Sequence, residues 1–207
     1  MKILAHRGFW QQKEEKNSIH ASSKAIEHGF GIELDIRDQR GNLIVSHDIP
    51  RSTSDLFKKH LELSSKDTIW AINIKADGLA RLLKNELELF NINRYFAFDM
   101  SIPEMFVYAN LGIDFYTSMS DICRTPPLLS QAKGIWLDSF CSLWYDGRTL
   151  EEIANLSKPV CVVSEDLHGR PYLTQWEILK NFLEQHSIEN WQLCTDHPME
   201  AKEFFHD

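Results

Sequence analysis

The stretch NSIHASSKAIEHGFGIELDI, residues 17–36, holds one helix and one strand in a single run. Asn17 or Ser18 offers a side-chain oxygen to cap the helix, and Gly29 ends it. The strand that follows, 30–36, is apolar around two carboxylates. Glu33 and Asp35 flank Leu34, so the period of two puts both on one face. Upstream, KILAHRG (2–8) is another short apolar run ending in polar residues. Strand, helix, strand with a helical crossover is the unit of a parallel sheet.

The same alternation continues outward. RGNLIVSHD (40–48) is a hairpin-like excursion turning at Arg40-Gly41-Asn42. Strands are then expected at 69–75, 94–100, 114–120, 134–140, 159–166 and 191–198. Helices are expected at 78–91 behind a cap at Asp77, at 102–112 with Pro103 in the first turn, at 149–157, 174–186 and 199–207. A short Pro-initiated piece covers 126–132. With the excursion set aside, eight strand–helix units favour a compact (β/α)₈ TIM barrel, one domain spanning 1–207. No glycine-rich GxGxxG loop follows any strand, which argues against a nucleotide-binding open sheet.

Bulk composition narrows the function. Hydrophobic residues make up 43% and charged residues 25%, with a formal net charge of −8. General nucleic-acid binding runs on Lys and Arg neutralising phosphates and is excluded as an expectation, whereas a local basic pocket for one phosphate is not. Cys123, Cys141, Cys161 and Cys194 are too widely spaced for a zinc site and read as reduced and mostly buried. No apolar run reaches the ~20 residues of a membrane span, so no stable membrane insertion is expected. MKILAHRGFW enters a strand directly without signal-peptide architecture, and the expected location is cytoplasmic.

In a parallel barrel the active site lies at the C-terminal ends of the strands. Those ends carry His6-Arg7, Glu33 and Asp35, His47-Asp48, Asn73 and Lys75, Asp99, Asp138, Glu165-Asp166 with His168 and Arg170, and Thr195-Asp196. Two adjacent carboxylates in a mouth repel, and a divalent cation with hard oxygen ligands removes that cost. His6 and His47 titrate near neutrality and suit proton transfer in opposite directions. Arg7 and Lys75 suit an anionic substrate oxygen. Asp99, Asp138 and Asp196 read as strand-end helix caps, and Glu165, His168 and Arg170 as a polar loop.

AHRG, KNS, GIELDIRD, LIVSHD, INIK and CTD occur in that order from Ala5 to Asp196. The chain thereby resembles the glycerophosphodiester phosphodiesterases, in the superfamily that also holds phosphatidylinositol-specific phospholipases C. The resemblance implies a phosphodiesterase with His6 and His47 as its two catalytic histidines and Arg7 as its phosphate-binding arginine. It implies a divalent metal, Mg²⁺ or Ca²⁺, on Glu33 and Asp35, with Lys75 following the third ligand. Asn17 matches an Asn of the family's Glu-Asn-Thr segment, whereas Lys16 and Ser18 depart from it. Asn73 stands where the family usually has Glu, and an amide oxygen contributes a ligand without charge. The implied partner is a small phosphodiester of glycerol, inositol, a lipid head group or a glycan. Two other readings stay open: a Schiff-base lyase using Lys75 as an amine nucleophile, and a silent barrel that binds a phosphorylated ligand. A glycosidase built on two strand-end carboxylates would leave both histidines idle.

Overall fold

The computed structural model describes residues 1–50, 54–188 and 190–206. Its strands are β1 (Lys2–His6), β2 (Gly31–Gln39), β3 (Asn42–Val45), β4 (Trp70–Ile74), β5 (Tyr95–Phe98), β6 (Tyr116–Met119), β7 (Gly134–Leu137), β8 (Val160–Val163) and β9 (Trp191–Thr195). Its helices are α1 (Ile19–Glu27), α2 (Phe57–Leu61), α3 (Ala80–Leu89), α4 (Ile102–Leu111), α5 (Gly147–Ala154), α6 (Leu173–His186) and α7 (Pro198–His206). No helix among the described residues is long and apolar enough to cross a membrane.

Eight strands run parallel in the order β5-β4-β2-β1-β9-β8-β7-β6. A parallel bridge between Ala97 and Phe115 draws the two ends together, so the sheet closes into a (β/α)₈ barrel. β3 stands outside the ring and pairs antiparallel with the far end of β2. Arg40 (φ 51°) and Gly41 (φ 78°) make the two-residue turn between them, the left-handed pair that a tight hairpin requires.

Alternation sorts the side chains into two cores. Outward residues such as Ile32, Leu34, Ile36, Trp70 and Ile72 pack under the helices in the larger cluster. Inward residues fill the barrel: Leu4, Ile69, Ala71, Phe96, Phe98, Tyr116, Trp136, Cys161, Val163 and Cys194. One side of this interior is aromatic. Phe96 stacks on Tyr116 and Phe98 on Trp136, each pair 3.8 Å between centroids. A methyl at Gly134 would lie 2.5 Å from the Tyr116 ring, so glycine there lets the ring cross the barrel floor. The other inward positions include the small Ala71, Cys161 and Cys194.

Several local expectations change. Of the two expected cap residues it is Ser18 that caps α1, accepting from the Ala21 N–H as expected. Asp77 does not cap α3; Leu79 occupies that position, and Asp77 accepts from the Ser101 N–H and hydroxyl instead. Residues 126–132 form turns, so no helix follows β6. The five-residue α2, too short to show periodicity, supplies the helix after the β2–β3 hairpin. Cys161 and Cys194 are buried, whereas Cys123 is half-buried and Cys141 exposed. The end of the last expected helix, Asp207, lies outside the described residues.

Candidate active site

The site begins with strand ends facing inward. β1 delivers His6, β2 delivers Glu33 and Asp35, and β4 delivers Asn73 directly opposite Asp35 in register. Lys75 follows one inward step later, its N–H donating to the Ile36 carbonyl. The structure thus brings His6, Arg7, Glu33, Asp35, Asn73 and Lys75 to one side of the mouth.

Arg7 is placed by an unusual backbone. It takes φ 59° and Gly8 takes φ 83°, so the chain turns left-handed twice after β1. Gly8 is obligatory there, because an added methyl would lie 2.7 Å from the Ala21 carbonyl carbon. The turn aims the Arg7 N–H at Glu33 Oε2 (3.1 Å) and brings Arg7 Nε to 2.8 Å from Asp35 Oδ2. Asn17 (φ 63°) donates through Nδ2 to Asp35 Oδ2 at 2.9 Å. Asp99, beside Lys75, is the third left-handed non-glycine residue of the mouth, at φ 68°. Left-handed non-glycine residues cost on the order of 1–3 kcal/mol each, and such strain gathers at working sites.

The carboxylates are unequal. Glu33 is buried and its acidity weakened, its pKa pushed up to about 7 by burial first and by Asp35 next, with His6, Arg7 and Lys75 pulling it back. Asp35 carries the pairing: Arg7 on one oxygen and Lys75 at 3.4 Å from the other. Lys75 Nζ also lies 3.7 Å from Asp99. Three buried oxygens keep no hydrogen-bond donor: Glu33 Oε1, Asp35 Oδ1 and Asn73 Oδ1. A buried acceptor without a donor costs about 1–3 kcal/mol. Three of them on two adjacent strands form a hard-oxygen set that a divalent cation would satisfy at once. Among the described residues no cluster of three or more His, Cys, Asp or Glu is grouped to hold a metal. The candidate set has only two carboxylates, because its third oxygen is the Asn73 amide.

His6 is oriented by a residue first read as a helix cap. Asp196, just after β9, accepts from His6 Nδ1 at 2.6 Å and from Lys16 Nζ at 3.1 Å. Burial alone would raise the Asp196 carboxyl, but the His6 hydrogen bond and the Lys16 ammonium outweigh it and hold the group below its ordinary range. Asp166 in turn accepts from the Asp196 N–H and the Thr195 hydroxyl. His6 Nε2 is left facing the mouth, 3.8 Å from Glu33 Oε2. The signal for this role was the CTD stretch itself; nothing in its spacing separates an orienting carboxylate from a cap.

His47 sits apart from this group. It leaves the hairpin on a loop, half-exposed, with Nδ1 2.9 Å from the exposed Asp48 carboxylate. It shares an open cleft of about 410 Å³ with Arg7, Lys16 and Asn17, so it stands on the rim above the arginine.

No family model matches this sequence, and no curated protein does. Solved structures do. A glycerophosphodiester phosphodiesterase from Agrobacterium tumefaciens matches over all of both chains, with 17% identity and a TM-score of 0.70. The chain shares the barrel fold of that enzyme. The glycerophosphoryl diester phosphodiesterase domain of a Mycobacterium tuberculosis protein shares this fold over 98% of each chain, with 10% identity and a TM-score of 0.69. A glycerophosphoryl diester phosphodiesterase from Parabacteroides distasonis shares it over 99% of this chain and 86% of its own, with 10% identity and a TM-score of 0.66.

Proposed function

We propose that this chain is a metal-dependent phosphodiesterase that cleaves a glycerophosphodiester-like P–O bond. The observation that carries the reading is the row of buried oxygens without a hydrogen-bond donor on Glu33, Asp35 and Asn73, beside two cations and an oriented histidine. Glu33, Asp35 and Asn73 would hold Mg²⁺ or Ca²⁺, which supplies Lewis acidity to a phosphate oxygen.

The chain's own residues do the rest. Arg7 and Lys75 bind the phosphate and offset negative charge as it grows at phosphorus. Asp196 holds Nδ1 of His6, so Nε2 is the atom that gives or takes the proton. His47, on the rim over Arg7, is placed to handle the other oxygen, the attacking hydroxyl or the leaving alkoxide. That hydroxyl comes from water or from a neighbouring alcohol of the substrate. The Lys75 environment speaks against the lyase reading: two carboxylates within 4 Å suit an ammonium ion, not a neutral amine nucleophile.

The test is hydrolysis of a generic aryl phosphodiester with and without chelator, in the wild type and in His6→Ala. Both the chelator and the substitution should abolish turnover, and turnover that survives both would sink the mechanism. Tight binding of the diester without turnover in the metal-loaded protein would leave the silent-binder reading in its place.

A further inference from the structure

The mouth has a second side that the phosphate chemistry does not use. In strand order β7 stands four places from β2, directly across an eight-strand ring. Its end carries Asp138, buried, with Oδ1 accepting from the Ser139 N–H and lying 2.7 Å from His168 Nε2. This pair is braced from several directions. Arg170 forks onto Glu165 (Nε to Oε2, 2.6 Å) and also donates to the carbonyls of Ser139 and Phe140. The Trp144 indole N–H donates to the Asp138 carbonyl at 2.7 Å. Glu165, expected from sequence in a polar loop, is buried.

The pair belongs to the same mouth as the phosphate site. Asp35, Lys75 and Asp99 form a chain of charges, with Lys75 3.4 Å from the first and 3.7 Å from the second. Asp99 directly follows β5, and Asp138 follows β7 with its N–H donating to the Met119 carbonyl at the end of β6, the strand bridged to β5. The arc therefore runs from the phosphate site through Asp99 to Asp138 and His168. Under it lie the stacked Phe98 and Trp136, and beside it the half-exposed Phe140 ring, 5.9 Å from His168.

The remaining valences define the ligand. With Nε2–H committed to Asp138, Nδ1 is the ring nitrogen left to a ligand. Nδ1 makes no hydrogen bond within the described residues. The carboxylates on this side are all engaged: Asp99 by Lys75, Glu165 by Arg170, Asp138 by His168 and Ser139, and Asp121 by the N–H groups of Phe140 and Cys141. A hydroxyl would find a free ring nitrogen above an aromatic floor.

We propose that Asp138 and His168 form a specificity subsite that hydrogen-bonds a hydroxyl of a polyhydroxylated alcohol esterified to the phosphate. This rests on the phosphodiesterase reading for the placement of the phosphate. The experiment is calorimetric titration of the Mg²⁺-loaded protein with inositol monophosphate and with methyl phosphate, in the wild type, His168→Leu and His168→Met. One net hydrogen bond corresponds to about a three- to tenfold preference for the inositol ester in the wild type. That preference should vanish in whichever variant keeps the wild-type affinity for methyl phosphate. A wild type without the preference, or a preference that persists in such a variant, overturns the assignment. Loss of methyl phosphate affinity in both variants also overturns it, because the pair would then serve the fold or the phosphate site. Turnover of glyceryl para-nitrophenyl phosphate, which can be attacked by water or by its own neighbouring hydroxyl, tests the phosphodiesterase reading separately. Its absence alongside a retained inositol preference would remove the catalysis and keep the subsite.

Discussion

Replacing Asn73 by Glu would place a third carboxylate beside Glu33 and Asp35. Asn73 and Asp35 are register partners on adjacent parallel strands, about 4.8 Å apart. At that separation and an effective dielectric of about 20, two unit charges repel by about 3 kcal/mol. Glu33 is already held near pH 7 by burial and by Asp35, so a new acid there has to ionise against two neighbours. Protonation caps the cost at neutral pH, and the comparison is cleanest near pH 8. We expect N73E without metal to lose about 3 kcal/mol in urea denaturation at that pH. A divalent cation that engages all three oxygens cancels the repulsion, so linkage returns the same energy as affinity, roughly a hundredfold tighter Mg²⁺ or Ca²⁺ binding. The assay is a denaturation series over metal concentration, fitted for both quantities. Unchanged stability in the absence of metal together with unchanged metal affinity would refute the reasoning, because Asn73 would then lie outside the oxygen set.

Asp196→Asn should lower kcat by about a hundredfold with KM little changed, since His6 loses the carboxylate that fixes its tautomer but not its place; steady-state kinetics and a shifted pH profile check this. His60 is fully buried against Ser22, and burial lowers its pKa to about 4. The unfolded state therefore binds the proton first, and stability is lost as pH falls from about 6.5 towards 4, by roughly 3 kcal/mol in all. Denaturant midpoints measured over that window should show the slope in the wild type and lose it in His60→Phe.

The ring was readable because period-two alternation is local. Leu34 between Glu33 and Asp35, and Ile72 and Ile74 around Asn73, separate the two faces of β2 and β4 without reference to any other strand. Capping was less readable, because Ser, Asn and Asp are interchangeable as caps and are chosen by contacts far away in the chain. Asp77 serves Ser101, and Asp196 serves His6 at a sequence distance of 190 residues. The bracing of Glu165 by Arg170 is likewise invisible in a run of polar residues, since it depends on carbonyls that β7 presents. Helix α2 escaped because five residues carry too little period.

The barrel is tied unevenly. Seven neighbouring pairs share regular ladders, but β5 and β6 meet at one bridge, with the Ala97 N–H reaching the Asp114 carbonyl at 3.0 Å. Mechanically this is a curled sheet held shut by a clasp. The clasp lies across the ring from the β1–β9 seam, so slight gaping there would leave β1 and β2 in register. It would instead widen the gap between Asp99, which follows β5, and Asp138, which follows β7 one strand beyond the other lip. The span available to the alcohol would then be set by how tightly the barrel is fastened, and substitutions at Ala97 or Phe115 would act as a gauge on substrate girth.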